Sequence, residues 1–217
     1  MVDFNKHTGK GLRKSIRELR VAIPSLGRAN KMRIVTRLPD VIRDQAVILC
    51  HDFEEDAYQR AAETHGFKVL ALPGTSEFMG TANVRRWIFD HCSKEKVAML
   101  DDDIQFYVRR PGEARLINAS NDEVIKMFAA VSHKLNTHPH VAISAREGNN
   151  RGPDGWVDNT RMLRFLAYHV PTVLCTIKKR RFIEVREDFD VSLQLLRAGY
   201  PNAVNYHWAQ GQPGTQA

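Results

Sequence analysis

The stretch Val97-Ala98-Met99-Leu100-Asp101-Asp102-Asp103-Ile104 decides the fold. Apolar residues run straight into three acids. An unbroken apolar run of this length, closed by turn-forming residues, predicts a parallel strand buried on both faces. The acids then stand at the strand's carboxyl end, where open α/β sheets bind their ligands. Adjacent carboxylates repel one another and lose hydration where the strand enters the protein. A divalent cation relieves both costs, and hard oxygen ligands favour Mg²⁺ or Mn²⁺ shared with substrate phosphates. A solvated acidic turn is the other reading of the same residues.

Outward from this strand, apolar runs predict further strands at 20–24, 46–50, 67–72, 141–145 and 170–177. Helices are expected over 31–38, stopped by Pro39, and near 54–65, with Gly66 at its end. Another opens after Gly80 and carries Val84, Trp87, Ile88 and His91 on one stripe. Ser120 and Glu123 form a capping box ahead of the helical spacing Val124, Met127, Phe128, Val131, Leu135. A last helix follows Glu187-Asp188, with Phe189, Leu193 and Leu196 on its stripe and Gly199 and Pro201 at its end. The loop 146–159 is long enough to suggest a functional or mobile segment.

The 217 residues suffice for one sizeable domain, and a hydrophobic content of 43% allows an ordinary core. No apolar run reaches membrane-spanning length and no signal-peptide pattern opens the chain, so a cytoplasmic location without membrane is expected. Cys50, Cys92 and Cys175 lack metal spacing and fit a reducing compartment. Lys and Arg total 32 against 25 acids, a net +7 that admits a polyanionic partner. The excess falls in clusters: a basic lead-in over 1–19; Arg146, Arg151, Arg161 and Arg164 around the Gly/Asn loop; and Lys178-Lys179-Arg180-Arg181. Each alone also reads as a solvated face.

Several other residues carry chemistry. Arg28, in the polar loop after the first strand, can pair bidentately with a phosphate. Asn83 and Arg85 fall in the first turn of their helix, where an arginine opposes the macrodipole unless something negative lies nearby. Glu187 and Asp188 begin a helix, as a cap or as a general base. His207 is flanked by aromatics, a setting in which a lone histidine is more often structural.

Together these residues resemble the glycosyltransferases of GT-A fold. The resemblance implies an α/β fold, a GT-A-like nucleotide-binding open sheet with helices on both faces, spanning 20–210 as a single domain before a tail at 211–217. Asp101-Asp102-Asp103 matches the family's Asp-x-Asp strand end, and Val21–Arg28, with Pro24 and Ser25, its donor-nucleotide segment. Gly80–Arg86 matches the segment that touches nucleoside and ribose, and Glu187-Asp188 the acidic pair that supplies the acceptor base. His207 stands where several members add a third metal ligand. More narrowly, the short chain and the Arg186-Glu187-Asp188-Phe189-Asp190 segment look like the phage-type glycosyltransferases associated with TET/JBP pyrimidine-oxidising dioxygenases, thought to glycosylate hydroxymethylated DNA bases.

The resemblance implies a UDP-sugar donor and Mn²⁺ or Mg²⁺ held by Asp103, Asp101 and His207. Asp52 would meet the uracil or ribose. Asp188 first, and Glu187 second, would take the acceptor's proton in an inverting displacement. A DNA acceptor would be held by Arg146, Arg151, Arg161, Lys178, Lys179, Arg180 and Arg181, with Trp156 or Phe106 filling the gap left by an extruded base. Alternatives are a glycan or other small hydroxyl acceptor, a sugar-nucleotide nucleotidyltransferase, and a non-catalytic nucleic-acid-binding module. Ser25-Leu26-Gly27-Arg28 is glycine-poor for a nucleotidyltransferase loop, and a binding module has no use for three strand-end acids.

Overall fold

The computed structural model describes residues 14–74, 79–92, 95–113, 115–177 and 186–212. The apolar runs at the front of the chain form β1 (Leu19–Pro24), β2 (Ala46–His51), β3 (Lys68–Leu72) and β4 (Lys96–Leu100), which lie parallel in the order β3-β2-β1-β4. The strands that follow are β5 (Gln105–Arg109), β6 (Leu116–Asn118), β7 (His140–Ala145), β8 (Trp156–Asp158), β9 (Phe165–His169) and β10 (Ala203–Gly211). β9 joins β4 antiparallel and extends the sheet through β7, β10, β5 and β6, while β8 pairs with β10. The result is one open mixed sheet.

Burial explains why β4 reads as uniformly apolar. Its residues alternate between two cores, as the two-residue strand period requires. Ala98 and Leu100 face one core with Ile23, Ile48 and Phe165, while Val97 and Met99 face the other with Ala22, Leu49 and Leu166. The helices are α1 (Asp40–Arg43), α2 (Glu55–His65), α3 (Thr81–His91), α4 (Asn121–Lys134), α5 (Val170–Ile177) and α6 (Glu187–Arg197). Tyr58 of α2 and Phe128 of α4 fill the first core; Ile88 of α3, Val173 of α5 and Leu195 of α6 fill the second. Helices therefore cover both faces, as expected. Ser120 caps α4, its hydroxyl accepting from the Glu123 amide at 3.3 Å. Gly66 ends α2 in the left-handed region at φ 69°. Among the described residues, no helix is long and apolar enough to cross a membrane.

The structure corrects four sequence expectations. Residues 170–177 form helix α5, and the strand lies just ahead of it at β9. Pro171 sits in the helix's first turn, where no backbone donor is needed. The helix is packed between the sheet and α6, so its apolar run lacks the polar face that marks a surface helix. In α6 the inward face carries Val191 and Leu195, while Leu193 is 51% exposed. Glu187 lies on this inward side and turns to an arginine described below. Residues 31–38 make only a 3-10 turn at Ile34–Thr36, held by the Ile34 amide on the Asp102 carbonyl at 3.1 Å. Pro39 then precedes α1 instead of ending a helix.

The fourth correction concerns 146–159, which is pinned. Asn149 is 1% exposed. Its carbonyl and side-chain oxygens accept from Arg109 Nη2 at 2.6 and 2.9 Å, and its amide donates to the Tyr206 carbonyl at 2.9 Å. Gly152 lies so close to the Tyr206 ring that an added Cβ would stand 2.3 Å from it. Gly152→Ala is therefore expected to destabilise the fold by about 1–3 kcal/mol, the cost of overpacking a filled site. Urea denaturation checks this, and an unchanged unfolding free energy would mean that the ring has room to move.

Candidate active site

A cleft of about 320 Å³ opens at the carboxyl ends of β1 to β4, between the loop after β1 and the start of α3. Asp101, Asp102 and Asp103 form its floor. Asp101 is fixed by its amide, which donates to the Arg164 carbonyl at 3.1 Å. Burial pushes the Asp101 carboxyl up to about 6; Arg85 opposes the rise, and Asp103 and Asp102 add to it. Loss of hydration is thus the chief cost of the Asp101 carboxyl at this position.

The β1 side is organised by a directed chain of hydroxyls. The Arg28 amide donates to the Tyr58 hydroxyl oxygen at 3.2 Å, so that hydroxyl's own proton is free to go to Ser25 Oγ, 2.7 Å away. Ser25 in turn donates to Asp102 through a short bond. Glu54 accepts the Gly27 amide at 2.8 Å, which holds the turn where Gly27 adopts φ 68°. Arg28 then reaches across with one nitrogen. Its Nη1 lies 2.8 Å from Asp102 Oδ1 and 2.8 Å from Asp103 Oδ2. Asp102 beside it is the chief cause of a raised Arg28 pKa. Asp103 Oδ1 accepts the Gln212 side-chain amide at 2.8 Å.

The opposite side is closed by Arg85. Its Nη1 lies 2.5 Å from Glu187 Oε1, and its Nη2 lies 3.9 Å from Asp101 Oδ1. Both side chains of the Arg85–Glu187 pair are largely buried, at 12% and 11% exposure. An arginine in the first turn of α3 opposes the helix dipole. Here the negative partners that offset it are Glu187 and Asp101. One guanidinium therefore ties the acidic floor to the start of α6. Asp188, next along, has Oδ1 on the Phe189 amide at 2.9 Å and does not line the cleft.

Of the expected site residues, the cleft gathers Pro24, Ser25, Arg28, Arg85, Asp101, Asp102 and Asp103, with Glu187 joined through Arg85. Others lie elsewhere. Asn83 is exposed on α3, and Thr81 lines the cleft in its place. Asp52 accepts the Phe53 amide at 2.8 Å, and its neighbour His51 faces the cleft. His207 does not reach the acids. It sits in a bulge of β10 with Nδ1 3.1 Å from Asp154, and Gln212, further along, meets Asp103 instead. Phe106 is 3% exposed within the first core, so it cannot stack on an extruded base, whereas Trp156 is half-buried against that core beneath Lys134.

The basic residues are distributed unevenly. Arg161 lies over the Phe189 ring at 4.9 Å, beside the start of α6. Arg146 covers Tyr107 at 4.6 Å and Arg164 pairs with Glu147 at 3.3 Å. Lys178, Lys179, Arg180, Arg181 and the Arg151 side chain lie outside the described residues. Sequence reasoning missed Tyr58, Gln212 and His51. Tyr58 carried a signal, because a tyrosine on the buried stripe of a helix needs a partner for its hydroxyl. Gln212 carried none.

The donor chemistry fits a divalent cation. Among the described residues, no three His, Cys, Asp or Glu side chains are grouped as a complete metal cage. Yet carboxylate oxygens of Asp102 and Asp103 converge on one positively charged nitrogen. Mg²⁺-type ions commonly take one or two protein carboxylates and fill the remaining positions with water and substrate phosphates. Asp102 and Asp103 converge closely enough to supply such a pair, with Asp101 lining the same cleft.

Comparison with known proteins gives the family and the fold. The profile of the TET-Associated Glycosyltransferase family matches residues 19–217, and the chain belongs to that family of glycosyltransferases. No curated protein matches it in sequence. Among solved structures, it is similar to the mannosyltransferase PcManGT from Pyrobaculum calidifontis in complex with GDP-Man and Mn²⁺, at 17% identity and TM-score 0.54. That match covers 87% of this chain and 56% of the mannosyltransferase, so the chain spans little more than half its length. A putative glucose-1-phosphate thymidylyltransferase from Bacillus anthracis, in complex with a sucrose, is similar at 11% identity and TM-score 0.52, covering 91% of each chain. At these identities the likeness shows the fold: a nucleotide-binding open sheet common to GT-A glycosyltransferases and nucleotidyltransferases.

The Arg85–Glu187 pair predicts a non-additive double mutant. Removing one partner leaves the other charge buried, which costs about 3–5 kcal/mol. Arg85→Met and Glu187→Gln should each destabilise strongly, and the double variant should lose far less than their sum. Additive losses in urea denaturation would show that the two side chains are not coupled.

Proposed function

We propose that this TET-associated glycosyltransferase moves a sugar from a UDP-sugar to the hydroxyl of a hydroxymethylated pyrimidine in DNA, by inverting displacement. The single observation that carries the reading is the acidic floor Asp101–Asp103, flanked by two arginines in a cleft at the strand ends. Such a site matches a nucleoside diphosphate that arrives with a divalent cation. Asp103 and Asp101 would hold Mn²⁺ or Mg²⁺, which when bound offsets charge on the departing diphosphate. Arg28 supplies a forked partner for phosphate oxygens. The Tyr58–Ser25–Asp102 chain keeps the loop after β1 in place against the nucleotide.

Glu187 is engaged by Arg85, so Asp188, next to it at the start of α6 though outside the cleft lining, remains the first choice for general base. Arg85 acts as a positioning residue, since it fixes the start of α6, and so Asp188, relative to the acidic floor. Support for a polyanionic acceptor comes from the net charge of +7 and from Arg161 on Phe189 at the α6 start. The family's association with TET enzymes favours DNA over a glycan. A target base in a duplex would have to leave the stack to reach Asp188. With Phe106 committed to the core, the half-buried Trp156 is the one of the two expected aromatics left to fill the gap of an extruded base.

The test is to incubate the protein with Mn²⁺, a panel of UDP-sugars and DNA with or without hydroxymethylated pyrimidines, and to measure nucleoside masses. A glycosyl adduct on modified DNA alone is expected. Asp103→Ala should abolish it. Asp188→Asn should lower turnover by about 10²–10⁴-fold while leaving UDP affinity unchanged. DNA affinity should fall with salt at a log–log slope of about −0.9 per phosphate neutralised. Transfer to a simple glycan with no adduct on modified DNA would overturn the acceptor assignment.

A further inference from the structure

Arg28 occupies an unusual position for a residue expected to meet the donor. Its side chain is 48% exposed, yet one nitrogen holds both Asp102 and Asp103. A divalent cation on Asp103 and a guanidinium 2.8 Å from the same carboxylate would repel each other at close range. A metal taking the two carboxylate oxygens that Arg28 now holds would have to displace the guanidinium.

The surroundings let it leave cheaply. The loop is held by its backbone, not by this side chain: the Ser25 amide donates to the Leu49 carbonyl at 2.9 Å, the Gly27 amide to Glu54 and the Arg28 amide to Tyr58. Asp102 keeps the Ser25 hydroxyl when the guanidinium departs, and Asp103 keeps the Gln212 amide. Half-exposed as it is, the arginine can swing without unpacking a core. A diphosphate in the cleft offers it oxygens in the forked geometry that guanidinium suits.

We propose that Arg28 is the cleft's resident counter-cation, standing in for the divalent ion while the donor is absent and moving to the diphosphate when metal and nucleotide arrive. The inference rests on the metal-and-donor reading above and adds a coupling to it. Metal alone must displace Arg28 and break its bonds to Asp102 and Asp103. With a diphosphate present, the arginine exchanges those bonds for new ones. Nucleotide therefore raises metal affinity, and by linkage metal raises nucleotide affinity by the same factor. The acids are thus guarded against loading metal without donor.

Binding of Mn²⁺ alone tests this, read from the electron paramagnetic resonance signal of free Mn²⁺, without and with saturating UDP. In Arg28→Gln, Mn²⁺ alone should bind about tenfold tighter than in the wild type, the scale of one charge-assisted bond no longer broken. With UDP present the order should reverse, because the variant lacks the arm that grips the diphosphate. Arg28→Lys keeps the charge as a single ammonium without the fork. It should leave Mn²⁺ alone as weakly bound as in the wild type, yet fail to recover full affinity with UDP. Urea midpoints confirm that both variants fold. If Arg28→Gln tightens Mn²⁺ equally with and without UDP, Arg28 is a fixed repulsive charge and the exchange is overturned. Unchanged binding in both conditions overturns it as well. Should Mn²⁺ bind and Asp103→Ala abolish it while Arg28→Gln changes nothing, only the exchange falls. Should Mn²⁺ bind none of the proteins even with UDP, the metal reading falls with it.

Discussion

Three carboxylates at the end of one buried strand cannot stand without compensation, and much of this molecule answers that constraint. Their charges draw in Arg28 from the loop after β1, Arg85 from α3 and the Gln212 amide from beyond β10. Arg85 in turn brings in Glu187 from α6. Segments as far apart as 109 positions in sequence meet because one group of acids needs partners. Partly buried ion pairs of this kind add little net stability over a well-packed apolar alternative. Their value here lies in geometry: they set the cleft's floor, its two sides and the start of the helix that carries Asp188.

The sheet divides the labour. The four parallel strands β3-β2-β1-β4 present their carboxyl ends to the cleft, the usual place for a ligand in such sheets. The other half is built from antiparallel contacts of β9 and β5 and from the parallel pair β7 and β10. It bears the pinned loop, held through Asn149 and Arg109, and Arg146 over Tyr107. β9 lies between the halves and leads directly into α5, which packs against α6. The acid pair at the start of α6 is thus supported from the same strand that borders β4.

What could be read from the sequence was what depends on neighbours in sequence. The apolar run before Asp101, the Ser120 cap, the stop at Gly66 and the apolar runs of the first strands all follow local rules. Helix α5 could not be read the same way, because a short apolar run buried on most sides has no polar face to fix its period. The inward side of α6 carries Glu187, which meets Arg85 across 102 positions, a contact with no local trace. The same holds for Gln212, which meets Asp103 across 109 positions. The negative partner of Arg85 was foreseen in kind, as something anionic near a helix start; that it is a pair of the chain's own carboxylates required the fold.

The bulge in β10 makes that strand two rulers instead of one. Ala203–Asn205 keep step with Val141–Ile143 of β7, while Ala209 and Gln210 keep step with Ser144 and Ala145, the extra residues being taken up between. Side chains on a strand alternate faces with each residue. A one-residue insertion or deletion within 206–208 would therefore leave the first ruler, and the β8 pairing beside it, in register. It would disturb the second, which also pairs with β5, and with it the place from which Gln212 reaches Asp103. The length of this one short segment therefore governs where the strand's end, and the amide that meets the acids, comes to lie.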